Sequence, residues 1–288
     1  MAEKEYEEID LKHNFLRPLR LIPDSPKSLW LRGKLPDVMP RPKVVSIVGS
    51  RRCTRYGEAI AYKTAYELAE KGIMIVSGMA YGIDAFAHRG CLDAGGTTVA
   101  VLGTPIDYIY PASNRSLAER ILQKGGILSE YAPGTQTRNW HFLERNRIVS
   151  GLADALLIVE ASDHSGTLTT ASLALDQGKD VFVVPGDITR PMSVGCNRLI
   201  SQGAQVFTEL NDILSIVAPE KLKYSSPQLE ALNEIERSIW QQIKDGIVDG
   251  DEIMENLKLD VSDFNQAIMS LELKRYIKTI GFNRWMLC

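Results

Sequence analysis

From residue 43 onward, short β-branched runs alternate with stretches of helical periodicity. The runs are Val44–Val48, Ile73–Ser77, Thr98–Leu102, Ile127–Ser129, Ala155–Glu160, Val181–Val184 and a weaker Gln205–Thr208. Several are apolar throughout, the pattern of parallel strands covered on both faces. Helical segments are predicted near 57–71, 84–94, 114–124, 139–151, 167–177 and 195–202. Gly72, Gly95, Gly125, Gly178 and Gly203 each follow a predicted helix and precede the next strand, where a left-handed cap would end the helix. Such repetition predicts an α/β fold with a doubly wound, mostly parallel sheet over residues 43–218.

The two ends break this rhythm. Residues 1–42 hold six prolines and one strand-like stretch, LWLRG at 29–33. They read as an irregular lead-in that adds an edge strand, with a mostly disordered arm as the alternative. After a linker at 219–226, residues 227–288 show an amphipathic segment at Leu229–Lys244, two short helices at Asp249–Leu257 and Val261–Leu273, and two β-like stretches at Tyr276–Ile280 and Arg284–Leu287. Three helices and a hairpin in so few residues resemble a winged helix-turn-helix.

Charge changes the picture through its placement. The whole chain carries −3, but residues 41–207 carry 17 basic and 15 acidic side chains and residues 226–288 carry 7 and 11. A polyanion is therefore expected on the middle of the chain. The four cysteines (Cys53, Cys91, Cys196, Cys288) and four histidines are scattered, which argues against a disulfide framework, a zinc site or any other metal centre. No apolar run approaches the ~20 residues of a membrane span, and the charged start lacks a signal peptide's apolar stretch, so a cytoplasmic protein is expected.

Four motifs carry candidate chemistry. In SIVGSRRCTRYG, Gly49, Ser50 and Arg51 turn from a strand into a helix, and Arg51, Arg52 and Arg55 bring three guanidinium groups to a helix N-terminus suited to phosphate. The bland alternative is a tight turn with solvated arginines. In VSGMAYGIDAFAHRG, Gly78 and Gly82 permit close backbone approach, Asp84 reads as a helix cap, and His88 as a structural histidine. In GTQTRNWHFLERNRIVSGLAD, Arg138, Arg145 and Arg147 are interleaved with Trp140, His141 and Phe142, beside Asn146. Cations among rings suit sequence-tolerant binding of single strands. Leu143 and Ile148 read as the buried stripe of that helix, while Phe142 and Arg147 are expected on the ligand. In SDHSGTLTTASLALDQGKDVFVVPG, Ser165, Gly166 and Thr167 open another helix, and Asn197 opens a later one at the same presumed edge. Ligands of open α/β sheets collect at the carboxyl ends of the strands, where all four motifs map.

A catalytic constellation is not visible. Asp84, Asp107, Glu130 and Glu160 are single carboxylates near strand ends, with no nucleophile–base pair around them. No enzyme activity and no cofactor are expected.

The ordered strings IVGSRRCTRYG, IVSGMAYGIDAFAHRGCLDAGG, VAVLGTPIDYIYPASNR, GILSEYAPG, HFLERNRIVSGLAD, LLIVEASDHSGTLTTASLALDQGKDVFVVPG and GCNRLISQGA, between about 44 and 204, resemble the DNA-processing protein A family, also called Smf. The resemblance implies an extended Rossmann-like fold and a homodimer that binds single-stranded DNA and helps load the RecA recombinase in natural transformation. It also implies DNA contacts at Arg51 and at Phe142, Arg145, Asn146 and Arg147. The front of the chain leaves no room for the helical N-terminal domain of many members. A different class, the nucleotide phosphoribohydrolase-like enzymes, requires a Gly-Gly-x-Gly-Thr-x-x-Glu string; here His164-Ser165-Gly166-Thr167-Leu168-Thr169-Thr170 stands in its place without the glutamate. The tail helix Val261–Leu273 holds acids and no Lys or Arg, which predicts protein contacts for that module in place of duplex binding.

Overall fold

The computed structural model describes residues 6–221, 232–274 and 276–287. The chain divides into two compact units, Met1–Lys221 and Leu222–Cys288. Most of the expected linker, and the start of the amphipathic segment at Leu229, lie outside the described residues.

The first unit is built in the order β1 (Glu7–Ile9), β2 (Leu29–Gly33), β3 (Val44–Val48), α1 (Arg55–Glu70), β4 (Met74–Ser77), α2 (Ile83–Asp93), β5 (Thr98–Leu102), α3 (Arg115–Lys124), β6 (Gly126–Ser129), α4 (His141–Glu144), α5 (Asn146–Leu152), β7 (Ala155–Ile158), α6 (Gly166–Asp176), β8 (Asp180–Val183), α7 (Val194–Ser201), β9 (Gln205–Val206) and α8 (Leu210–Val217). Nine strands make one sheet in the order β1-β2-β6-β5-β4-β3-β7-β8-β9. From β6 to β9 every pairing is parallel; β2 is antiparallel to both β1 and β6. The chain runs outward from β3 to β6, then returns to lay β7 on the other side of β3. That reversal opens a crevice at the carboxyl ends of β3 and β7.

Strand alternation divides the core between the two faces. Val99 and Val101 join one apolar cluster with Ile148, Leu152, Ala171 and Ala174, while Ala100 and Leu102 join another with Leu92, Leu117 and Ile121. Both faces of the strands are thus covered, which is why their sequences are apolar throughout.

The lead-in is more ordered than its prolines suggest. LWLRG is a strand but not the edge, because Glu7–Ile9 pairs outside it. A 3-10 segment at Asn14–Leu21 buries Phe15, Leu16 and Leu19. Arg41 fastens this segment down: it donates to the Phe15 and Leu152 carbonyls and meets both Asp154 carboxylate oxygens at 3.2 Å. Four of the five expected glycine stops have positive φ, Gly72 at 67°, Gly95 at 76°, Gly178 at 67° and Gly203 at 101°. Gly125 does not. Its backbone is extended at φ −162°, and a β-carbon there would run into the Thr98 carbonyl, so close packing and not handedness demands glycine.

His88 is structural and fully buried. Thr98 Oγ1 lies 2.7 Å from the Ile75 carbonyl, to which it can donate, and 2.7 Å from His88 Nδ1. Burial, with Arg145 nearby, drops the His88 pKa to about 3. The unfolded chain takes up this proton near pH 6.5 and the folded one does not, so the neutral ring contributes stability above that pH. The contribution is lost as pH falls toward 3, at about 1.4 kcal/mol per pH unit. Buried Asp84, whose pKa burial raises, acts with the opposite sign. The histidine is therefore read as a difference between wild type and His88→Gln. Denaturant unfolding should show a steeper loss between pH 6.5 and 4.5 in wild type, and parallel curves would refute the assignment.

The second unit holds α9 (Glu234–Lys244), α10 (Gly250–Leu257), α11 (Val261–Leu273) and the hairpin β10 (Ile277–Gly281) and β11 (Arg284–Leu287) around Ile239, Trp240, Ile253, Phe264 and Leu271. Asn233 and Glu236 form a reciprocal cap on α9, and Lys274 reaches Glu236 at 2.8 Å.

Candidate nucleic-acid interface

A pocket of about 660 Å³ opens over the carboxyl ends of β3, β4 and β7. Its wall includes Gly49, Ser50, Arg51, Arg52, Gly78, Phe142, Arg145, Asn146, Ser165, Gly166 and Thr167, so three loops and the α4–α5 junction converge as the motifs anticipated. Asn139, Leu143, Ser162, Thr170, Met192 and Tyr110 also line it, and so do Val48, Ala80, Val149 and the buried carboxylate of Asp84. Tyr110 announced itself only as an aromatic in the IDYIYP string; nothing in the sequence singles out Met192.

The loops are braced against each other by their own polar groups. Ser50 N donates to the Glu160 carbonyl at 2.7 Å, and Arg52 N to Ser50 Oγ at 3.0 Å. The Glu160 carboxylate receives Thr54 N at 2.8 Å and Thr54 Oγ1 at 2.5 Å. Ser165 caps its own helix by accepting from Thr167 N at 3.1 Å. Several amides that the sequence offered to an anion are therefore spent on rigidity, and the guanidinium groups supply most of the pocket's pull. Gly82 sits where the second loop crosses the first, at φ 72°, with no room for a β-carbon against the Ser50 carbonyl. It is a spacer beside the pocket and not part of its wall.

Arg51 and Arg52 are exposed and, among the described residues, in no ion pair. The Arg51 guanidinium lies 5.4 Å from the centre of the Phe142 ring. Arg145 forms the buried floor, donating to the carbonyls of Gly78, at 2.6 Å, and Val101. Burial lowers its pKa to about 10, with buried Asp84 opposing that shift, and the group stays charged at neutral pH.

Other expected residues are placed elsewhere. Arg147 is buried and tied to acids: its guanidinium meets Glu130 at 2.7 and 2.9 Å and Asp24 at 3.0 Å. Facing the opposite side of the helix from Arg145, it cannot reach the pocket without breaking these bonds. Asn197 holds both backbone polar groups of Gly186, at 2.9 and 3.2 Å, and closes that turn. Arg55 and Arg138 are exposed outside the pocket wall. Asp84 is not the helix cap, which falls on Gly82; it lies inside the first turn and accepts from Ala80 N at 3.3 Å. Leu143, expected in the core, is 49% exposed on the pocket wall, while Ile148 is buried as expected. The predicted helix over 139–151 is in fact two short helices meeting at Arg145. Trp140 stands outside the pocket, edge-on to His141.

The four carboxylates serve separate scaffolding roles: Asp84 on Ala80, Glu160 on Thr54, Glu130 on Arg147, and Asp107 accepting from Gly134 N at 3.0 Å. Among the described residues no group of three His, Cys, Asp or Glu side chains could hold a metal, and no helix is long and apolar enough to cross a membrane.

Comparison with known proteins bears on this pocket. Residues 3–218 match the family model described as DNA recombination-mediator protein A. The chain is 42% identical over 192 residues to the DNA processing protein DprA of Streptococcus pneumoniae, covering 67% of each. The X-ray structure of DprA from that species superposes with a TM-score of 0.67, at 38% identity over 74% of each chain. A structure of DNA processing protein A from Helicobacter pylori, described for its single-stranded DNA binding mode, gives the same TM-score at 31% identity, over 75% of this chain and 97% of that one. Against a DprA of Mycobacterium tuberculosis the identity is 41% over 226 residues, 76% of this chain but 58% of the relative, so the chain spans less than two thirds of that protein's length.

Proposed function

This chain belongs to the DNA recombination-mediator protein A family, and from that premise we propose that it binds single-stranded DNA in the crevice over β3, β4 and β7 and acts without covalent chemistry. One observation carries the reading: two exposed guanidinium groups, in no ion pair among the described residues, and an aromatic ring share a pocket whose loops are already locked in place. A preorganised cationic wall attracts a sugar-phosphate chain, and a ring beside it accepts bases of any sequence. The braced loops reduce the ordering cost on binding. The single-stranded DNA binding mode described for the Helicobacter relative supports the same assignment.

In this reading the protein works in the cytoplasm, as a homodimer, and delivers coated strand to the RecA recombinase. The acidic second unit, winged-helix-like in its order of elements, serves protein contacts. Its helix α11 exposes Val261, Met269 and Leu273 between acids, a poor surface for duplex phosphates.

Fluorescence anisotropy with single- and double-stranded oligonucleotides across a salt series tests the proposal. Tighter binding to the single strand is expected, with log affinity falling linearly in log salt at about −0.7 per phosphate neutralised. Equal affinity for duplex, or an affinity indifferent to salt, would remove the basis for it.

A further inference from the structure

The pocket that offers guanidinium groups to a phosphate also holds an acid. Asp84, 6% exposed in the first turn of α2, lines the same wall as Arg51 and Arg145. For a buried carboxylate it is sparsely held. It accepts from Ala80 N at 3.3 Å, has the Ser77 hydroxyl beside it, and forms no ion pair among the described residues. Buried charges are ordinarily paired. Bracing the loop does not call for a charge at this place, since an uncharged amide oxygen could accept the same bond from Ala80.

The groups that face Asp84 are fixed in position. Arg145, at the α4–α5 junction, spends Nη1 on the Gly78 and Val101 carbonyls and Nε on Asn146 Oδ1 at 3.3 Å. Its Nη2 has no hydrogen bond among the described residues. Arg51 comes from the β3–α1 loop, and Cys53 on the same loop stays a thiol, its pKa raised to about 11 chiefly by burial. His88, one turn further along α2, stays neutral down to about pH 3. Burial raises the Asp84 pKa, while Arg145 and Arg51 hold it down. The ionisation of Asp84 therefore depends on what else claims those two guanidinium groups.

We propose that Asp84 and a backbone phosphate of the bound strand compete for Arg51 and Arg145, so that the strand enters the pocket together with one proton, taken from solvent by the Asp84 carboxylate. The inference rests on the single-strand reading above and adds to it what the site selects. A phosphodiester is a far stronger acid than a carboxylic acid, so the phosphate stays ionised and the carboxylate takes the proton. Once neutral, the Asp84 carboxyl no longer repels the phosphate and has an O–H to donate. An acidic protein segment gains no such advantage, because its carboxylates are no stronger as acids than Asp84. Asp84 is thus a specificity-determining residue, which offsets the pocket's charge until a phosphate arrives. Its pKa is higher with the strand bound than in the free pocket. Affinity therefore rises as pH falls between those two values, at most about tenfold per pH unit.

The test measures binding of an oligothymidylate of 20 nucleotides by anisotropy from pH 8 to 5.5 at constant ionic strength. Calorimetry in two buffers of different ionisation enthalpy counts the protons taken up. His164, exposed between the wall residues Ser162 and Ser165, also gains charge on acidification, so His164→Gln is the parent for both measurements. The parent should take up a fraction of a proton per strand, rising toward one within the window. Asp84→Asn should abolish this uptake, flatten the pH profile and bind roughly tenfold tighter at pH 8, the scale on which one charge acts across about 10 Å near a protein surface. The parent's proton count does not depend on how the variant folds. A parent that binds without proton uptake would overturn the role of Asp84 alone. So would a folded Asp84→Asn that keeps the uptake or binds no tighter at pH 8. A parent that binds no thymidylate at any of these pH values would overturn the single-strand reading and this inference with it.

Discussion

Arg51→Ala is expected to weaken single-stranded DNA binding by roughly 10- to 100-fold while leaving thermal stability unchanged. The side chain is exposed, makes no ion pair among the described residues, and touches the fold through a ring contact with Phe142 and a longer-range attraction to buried Asp84 that its repulsion of Arg145 opposes. A hydrogen bond to a charged group contributes about 1.5–3 kcal/mol, and the loss should be spread over all sequences because phosphates carry no sequence information. The salt dependence should flatten by about 0.7 for each phosphate contact removed. Anisotropy at three salt concentrations, with a thermal melt of the same sample, checks both halves. An intact affinity would show that the strand runs elsewhere. A lowered melting temperature would show that the residue is structural.

Arg147→Ala, two positions from the pocket floor, should do the reverse. Breaking a buried ion pair costs about 3–5 kcal/mol. Here Glu130 keeps 24% of its side-chain surface in water and Asp24 keeps 82%, so about 2–3 kcal/mol is the discounted expectation. For a unit of this size that corresponds to a fall of roughly 5–10 °C in melting temperature. The folded fraction, assayed well below its melting point, should bind DNA almost as wild type does. A variant that melts normally but no longer binds would return Arg147 to the interface and contradict the geometry.

The contrast between these arginines marks the limit of sequence reading. Arg145 and Arg147 sit in one basic, aromatic string and look equivalent there. What separates them lies far along the chain. Gly78 and Val101 carbonyls wait for Arg145, whereas Glu130 and the lead-in's Asp24 wait for Arg147. Asn197 is a similar case: its partner Gly186 is eleven residues away, and an exposed-looking polar residue at a helix start turns out to close a turn. Tyr110 went unnoticed for the converse reason, because it joins the site only when Asn114 pins its loop to the neighbouring one.

What the sequence determined by itself is the periodic part: strands β3 to β8, the helices between them, most of the glycine stops, and the Gly49-Ser50-Arg51 turn at a strand's end. These follow from local rules, namely which faces must be apolar and where the backbone must turn. The tertiary structure decided which polar groups are free. Whether an amide, a carboxylate or a guanidinium faces solvent or a neighbour depends on residues brought together by the reversal of strand order between β6 and β7. That reversal also let the proline-rich lead-in, unreadable by periodicity, become part of the core through Phe15, Leu16 and Leu19, because its burial is set by the surface it covers and not by a repeat of its own.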